Sequence, residues 1–589
     1  MHKEWLQVEE NLEKPPNPRK RKAYRPEKNF SECSLRSKKM KTIHLMSASS
    51  EELLFALKNK FKNEGKKDAA EIISLLTSSN NEKQHEFLSK INEKNMNKYS
   101  SYQALHQIIY LQLSKHKYNF LRNEHINNKT DIYPPYKNVL VAKKECYPET
   151  IDVHKNKMII KLQDLVDHTT YRFYELLKEN LKEKTSSLII LYKYGFDGSG
   201  CHSIYNYKDI ESEKSSNEEA YNQTQLFTSF ICPIYIKDAH DSSLLWYNPS
   251  PSSPVYCRPL RMIYKAETEE IVKIEHSKIK DEIENLIDTK ILNKIEFHHE
   301  FIQTMMDGKV TRIVTDGKSS SVCYICDPPT TPTNMNDLTQ LLKKNICKEK
   351  LCYGIAPLHL YINTMECVLH ISYRLPFKKW SIKKGSSNQI IAEEKKRAIK
   401  EKLKKRIGIT IETPKHGFGS SHTGNMARTF FKNYKTTATI TGFDESLMER
   451  LYIILLTLNS GFFINAAKFK EYAIETAKKY LKLYGDWYHM PVSMHRMLLH
   501  GSDIINALPI SIGHSSEEGL EATHKIIRKI KEESTCKISK NRVNEDLIHW
   551  LLVASDPIIA SYSKKTKTKT ETSLPIEVIN LLEEPLQNL

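Results

Sequence analysis

The sequence predicts an α/β protein in which a sheet domain is interrupted by a mostly helical insertion, and three observations predict it. Runs rich in β-branched and aromatic residues begin at Ser187 (SLIILYKY) and recur at Phe227 (FTSFICPIYI), Pro259 (PLRMIYK) and Ile295 (IEFHHEFIQTMM); such alternating runs read as strands. After Cys326 the pattern turns helical, with Lys-rich faces from Ala392 to Lys405 and apolar helices from Glu445 to Leu483. Ahead of the strands, from Ser49 to about residue 125, the periodicity is helical too.

Composition narrows the function. At 589 residues the chain has room for about three to five domains. Lys plus Arg number 89 against 71 Asp plus Glu, so the net charge of +18 favours a polyanionic partner, with nucleic acid the first suspect. The longest apolar stretch, Leu451 to Ala467, carries two Asn, a Ser and a Gly, and no run reaches the roughly 20 clean residues of a membrane span. The opening MHKEWLQVEE has no apolar core of a signal peptide, so export is not expected and the 11 cysteines should be mostly reduced.

Taken in order, residues 1–46 read as a disordered basic arm. Residues 16–45 hold ten Lys or Arg against two acids, which is +8 of the chain's +18. Arg19, Lys20, Arg21 and Lys22 suit nuclear import or phosphate contact, the alternative being a solvated tail. Residues 47–135 are expected to be helical, opening on a capping box from Ser49 to Glu52. The helices from Tyr102 to Leu113 and Lys115 to Asn123, joined through Ser114 as a cap, fit a helix-turn-helix or an ordinary helical hairpin. The sheet domain then occupies 136–326 with a polar surface loop from Lys208 to Asn222, the helical insertion 327–500, and a return to the sheet domain 501–560. The tail, 561–589, is Lys/Thr-rich and disordered at first; its PIEVINLLEEP reads as a short apolar strand able to pair with a partner's sheet edge, or as a frayed end.

Several residues carry chemical potential. Asp197 follows the run SLIILYKYGF and precedes Gly198-Ser199-Gly200, where a buried strand meets an open turn; Asp-Gly is also the commonest hairpin pair. Asp307 in EFIQTMMDGKV repeats the arrangement. Two such acids on neighbouring strands can share divalent cations, because hard metals want oxygen ligands. Ser515-Ser516-Glu517-Glu518 reads as a capping box ahead of a helix with the apolar stripe Leu520, Thr523, Ile527 and Ile530, which would aim Glu521 at the sheet edge unless it merely pairs with Lys525 in solvent. Cys323-x-x-Cys326 is half of a zinc knuckle, and His495 with His500 could complete it only if the helix ends or bends between them; core or surface histidines are the alternative.

In this order the pieces resemble the Transib-type DNA transposases, relatives of the catalytic subunit of the V(D)J recombinase. The matching words are RPEKNFSECSLRSKKMKT, LSKHKYNFLR, IYPPYKNVLVAKKECYP, YGFDGSG, CRPLRMIY, MMDGK, SSSVCYIC, LHLYIN, GNMAR, MHRMLLHG and SEEGLEATHK, spread from about residue 25 to 530. The resemblance implies a ribonuclease-H-like catalytic domain, split by a large helical zinc-binding insertion, with Asp197, Asp307 and Glu521 holding two Mg or Mn ions. It implies a structural zinc on Cys323, Cys326, His495 and His500, and Arg428 of GNMAR approaching DNA. It further implies a nuclear homodimer that binds terminal inverted repeats, nicks them, leaves hairpins on the flanking DNA and transfers 3′ ends to target DNA. Asp316, in a second Asp-Gly-Lys nine residues after Asp307, competes for the second ligand position; Asp307 is preferred because it follows an apolar strand. A reading from another class is a domesticated, non-catalytic DNA-binding regulator that keeps the fold.

Overall fold

The computed structural model describes residues 29–76, 98–128, 130–182, 185–200, 224–319, 321–327, 332–412, 422–563 and 574–583. Arg19 to Lys22, the loop Lys208 to Asn222 and most of the Lys/Thr-rich tail lie outside them. The chain divides into two units, Met1–Asn97 and Lys98–Leu589.

In the first unit the segment read as an arm is helical where it is described: Ser34 accepts a hydrogen bond from Ser37 N and starts the helix Leu35–Thr42. The expected capping box opens Ser50–Asn63, with Glu52 N donating to Ser49 Oγ at 3.2 Å and Ser49 N to Glu52 Oε2 at 2.7 Å.

The second unit is mixed α/β. Among the described residues its eight strands are β1 (Asp152–His154), β2 (Lys157–Ile159), β3 (Ser187–Ser199), β4 (Leu226–Asp238), β5 (Leu244–Tyr247), β6 (Arg258–Ile263), β7 (Thr289–Ile291) and β8 (Ile295–Gln303). They lie in the order β1-β2-β6-β4-β3-β8-β7, with β5 paired to β4. β3 sits near the middle, antiparallel to β4 and parallel to β8. Leu188, Ile190 and Phe196, but also Leu191 and Lys193, are buried, so successive side chains find cover on both faces, as central strands of a covered sheet require. The helices Leu162–Leu177, Glu518–Glu533 and Lys540–Ala554 supply apolar residues to the same core.

A second core gathers helices between about residues 335 and 508. Its centre is the helix Pro357–Arg374, 13 of whose 18 residues are buried, so this helix is wrapped on nearly every side. In the N-terminal part of the unit, Ser114 caps the helix Lys115–Asn127 as expected, accepting from Lys117 N at 3.2 Å.

One expectation fails outright. The segment PIEVINLL is not a strand: Ile576–Leu581 is a helix, and only Leu582 makes a β-bridge, to Ile464. Val578 and Leu581, three residues apart, fall on one helical face and pack against Ile453, and Pro575 starts the turn with a φ of −51° already suited to it.

A close approach in the sheet fixes the path of the chain beyond β8. There the backbone turns back on β3, where Thr304 N and Met305 N both donate to Tyr194 O at 3.2 Å. Next in β3 is Gly195, where a Cβ would stand 1.9 Å from Met305 O. Only glycine fits beside that carbonyl. Gly195→Ala is therefore expected to destabilise the protein by about 3 kcal/mol, the upper part of the usual overpacking range, and to displace the segment leading to Asp307. Chemical denaturation measures it, and a loss below about 1 kcal/mol would contradict the packing described.

Candidate active site and metal centre

Asp197 lies inside β3 and opposite Thr228 in the register, not in a hairpin turn. The strand runs on to Ser199 because β4 pairs with it that far. Gly198 N donates to Asp197 Oδ1 and to Glu267 Oε2, both at 2.9 Å. A Cβ on Gly198 would lie 2.6 Å from Glu267 Cβ, so this second glycine lets Glu267 come alongside Asp197. The motif YGFDGSG thus spaces two close approaches around one carboxylate.

The segment held by Tyr194 delivers Asp307, whose Oδ1 accepts from Val310 N at 2.7 Å and caps the helix Gly308–Val314. Asp316 is elsewhere: its φ is +52°, and its side chain, 80% exposed, pairs with Lys273 at 3.3 Å. The charge of Asp307 acts on Asp197, whereas Asp316 faces Lys273.

Glu521 is carried by the helix Glu518–Glu533. The capping box expected ahead of it does not form. Ser515 Oγ donates to Ile512 O, Ser516 Oγ accepts from Glu518 N, and Glu517 takes the N-cap position without capping the helix through its side chain. The cause is competition: the acid of the box is Glu518, which would have to reach back to Ser515 N, and Arg428 takes both of its oxygens instead, while Glu517, buried, accepts from His359 N at 3.1 Å and pairs with His359 Nδ1 at 2.9 Å. The loop before this helix is tied to the sheet by Lys193 of β3, fully buried, whose Nζ donates to His514 O at 2.9 Å and Ser516 O at 2.6 Å. Arg428 closes on Glu518 through two bonds, at 2.9 and 2.7 Å, so its guanidinium is engaged by a carboxylate.

The charges converge. Burial, then the carboxylates of Asp307 and Glu267, raise the pKa of Asp197 well above the usual range, with Glu521 adding to the push. Burial also raises Glu521, whose Oε2 is buried with no hydrogen-bond partner among the described residues. Burial works against a charge on His359, yet its bond to Glu517 and the charges of Glu517, Asp307 and Glu521 hold its pKa at about 10. His524, one turn after Glu521, stands 3.6 Å from Asp197 Oδ2, and burial lowers its pKa to about 3, so it is neutral there. Carboxylates that repel one another in this way, one with an orphaned oxygen, suit hard divalent cations; Asp197, Asp307 and Glu521 are the residues that could hold them, although among the described residues only Cys323, Cys326, His495 and His500 bring three or more ligand atoms within 4.8 Å of one another.

Sequence reading missed Glu267, Glu517 and His359. Glu267 follows CRPLRMIY in a loop that carries no motif, and nothing in the spacing sets it against Gly198. His524, three residues from Glu521, lay within a quoted word and had a helical signal.

The second cluster is closed and buried. The ligand atoms of Cys323, Cys326, His495 and His500 lie within 4.8 Å of one another, with Cys326 Sγ to His495 Nε2 and His495 Nε2 to His500 Nε2 both at 3.2 Å. The bend the sequence demanded is a π turn over Arg496–His500, whose longer period superposes residues five apart. Two nitrogens about 2.05 Å from a tetrahedral zinc stand about 3.3 Å apart, so the His–His distance fits a shared ion, and two thiols with two imidazoles are a zinc donor set. Contact with Cys326 and the two histidines pulls the Cys323 thiol far below its usual pKa, which favours the thiolate a metal needs. Between the ligands, Arg496 lies over the Tyr324 ring at 5.0 Å and reaches towards Gly308, beside Asp307.

No family model matches the chain, and no curated protein sequence does. Among solved structures, the Drosophila P element transposase strand transfer complex aligns with 82% of this chain and 99% of its own, at a TM-score of 0.27 and 10% identity.

The crowding of the acids and the closed Cys/His cluster can each be measured. A carboxyl whose pKa is raised on folding stabilises the folded state at low pH, and that contribution is lost as the pH rises above the unfolded value. Without divalent metal, Asp197→Asn should therefore raise the melting temperature more at pH 8 than at pH 5, and Mg should narrow the gap; a variant that melts lower at both pH values contradicts the crowding. Cys326→Ala or His500→Ala should lose one zinc per chain and lower melting by on the order of 10 °C. Elemental analysis that finds no zinc in the wild-type protein refutes the centre.

Proposed function

We propose that this chain is a DNA transposase of the Transib type, with a ribonuclease-H-like catalytic domain that cuts and joins DNA by metal-assisted phosphoryl transfer. The observation that carries the reading is that Asp197, inside β3, feels the charges of Asp307 and Glu521, which come from elements far apart in sequence. The proposed substrates are the terminal inverted repeats and a target duplex, the proposed assembly a homodimer, and the proposed location the nucleus.

Bound divalent cations would lower the barrier by activating the attacking oxygen and stabilising the departing 3′ oxygen. The chain's own part is placement and charge. β3 and the turned-back segment after β8 set Asp197 against Asp307, and Lys193 fixes the loop from which Glu521 extends. His359, protonated at neutral pH, sets a cation among these acids and limits their repulsion. Beside Asp307 a groove of ≈ 620 Å³ is lined by Lys309, Arg312 and Arg496, donors suited to the phosphates on either side of a scissile bond. No side chain is needed as a covalent nucleophile: water opens the strand, and the freed 3′ hydroxyl attacks the opposite strand to leave a hairpin on the flank, or attacks the target to join it. Arg428, engaged by Glu518, serves this site by holding the start of the Glu521 helix.

On oligonucleotides carrying the terminal repeat, with Mg or Mn, Asp307→Asn, Asp197→Asn and Glu521→Gln should each cut at least about 1,000-fold more slowly while still binding, because an amide keeps the shape and removes the charge. Asp316→Asn should stay within a few-fold of wild type. Undiminished cutting by all four variants would turn the reading towards a non-catalytic regulator. Deleting residues 1–45 should flatten the slope of log affinity against log salt by about 0.9 for each phosphate that the arm neutralises; an unchanged slope would remove those cations from the interface.

A further inference from the structure

The helix Pro357–Arg374 is almost wholly buried, yet His359, Asn363, Glu366, His370 and Arg374 are not. Their spacing of three or four residues makes one stripe along its length. The groove that starts at Asp307 is lined by the first four of them, and a second depression of ≈ 310 Å³ is lined by Glu366, His370 and Arg374 together with Lys396 and Lys400 of the helix Ser387–Ile407. Sharing Glu366 and His370, the two form a continuous trough along the helix. At 1.5 Å per residue the stripe from His359 to Arg374 is about 22 Å long.

The far end is strongly basic. Residues 378–406 hold twelve Lys or Arg against three Glu, a net +9, half of the chain's total. Arg397, Lys402, Lys404, Lys405 and Arg406 are exposed and make no ion pair among the described residues, whereas Glu393 is taken by Lys396 at 3.5 Å. Within the trough Glu366 is hydrogen-bonded to His422 at 3.0 Å, and Glu393 and Glu412 also line the second depression, against Arg374, Lys396 and Lys400.

We infer that this trough, with the cations of Ser387–Ile407 that border it, Lys396, Arg397, Lys400 and Lys404, forms a second DNA contact, which holds the phosphodiester backbone of the duplex on one side of the scissile bond. The length decides for a polymer over a small anion: about 22 Å spans six to seven nucleotides of a strand at roughly 3.4 Å each. The inference rests on the DNA-cutting reading proposed above and adds a partner segment and a place to it.

The test is a lysine footprint on the full chain. With a fluorescein-labelled 30-base-pair random-sequence duplex bound, Lys396, Lys400 and Lys404 should be acetylated at least about fivefold more slowly, while Lys280, on the helix Glu269–Glu284, is unaffected; a single deoxynucleotide at equal phosphate concentration should protect none of them. The triple variant Arg397→Glu, Lys400→Glu, Lys404→Glu should melt as wild type does and bind the same duplex at least tenfold more weakly at 0.1 M salt, with the salt slope reduced by about two to three. Tight binding that leaves these lysines unprotected, or equal protection by the mononucleotide, overturns this contact and leaves the cutting reading standing. Wild-type protein that binds no duplex at all sinks the reading itself.

Discussion

Everything at the functional end of this molecule depends on how closely the chain leaving β8 can approach β3. The contact is between backbones, Tyr194 O receiving two amides and Gly195 lying under the Met305 carbonyl. A side chain at residue 195 would push the two apart, and Asp307 would then stand away from Asp197. Gly198 does the same for Glu267 on the other flank. The glycines of YGFDGSG are thus chosen by the sheet rather than by a turn.

What the backbone brings together, electrostatics resists. Burial and neighbouring carboxylates disfavour an ionised Asp197, and the arrangement persists because packing elsewhere holds it. Lys193, with no solvent and two carbonyls as partners, anchors the loop before the Glu521 helix; Arg428 clamps Glu518 at the start of that helix; His359 supplies a charge of opposite sign. Strain of this kind at a site, compensated by rigid surroundings, is how a protein prepares a place for cations. The cysteine and histidine cluster adds rigidity from the helical side, since its π turn also orients Arg496 towards Asp307.

Much of this was legible in the sequence, and the reasons are physical. Strands β3 and β4 announced themselves because a covered central strand must be apolar or aromatic nearly throughout, and β6 and β8 through their recurring apolar and aromatic positions. Asp197 and Asp307 stood out against those runs, and the five-residue step from His495 to His500 demanded a bend that the π turn supplies. Features set by tertiary contact were not legible. The capping box at Ser515 to Glu518 looked sound locally but lost Glu518 to Arg428, 90 residues away in sequence. PIEVINLL alternates well enough for a strand, yet Pro575 and the spacing of Val578 and Leu581 serve a helix against Ile453. Glu267 had no local signal at all, because its place depends on a missing Cβ in another strand.

The account stands on cations shared by Asp197, Asp307 and Glu521, and one measurement bears on that most directly: anomalous diffraction from crystals of the protein grown with Mn. The account predicts manganese peaks within coordination distance of all three carboxylates, none at Asp316, and a separate zinc peak enclosed by Cys323, Cys326, His495 and His500. Manganese bound at Asp316 while the three acids stay bare would contradict it.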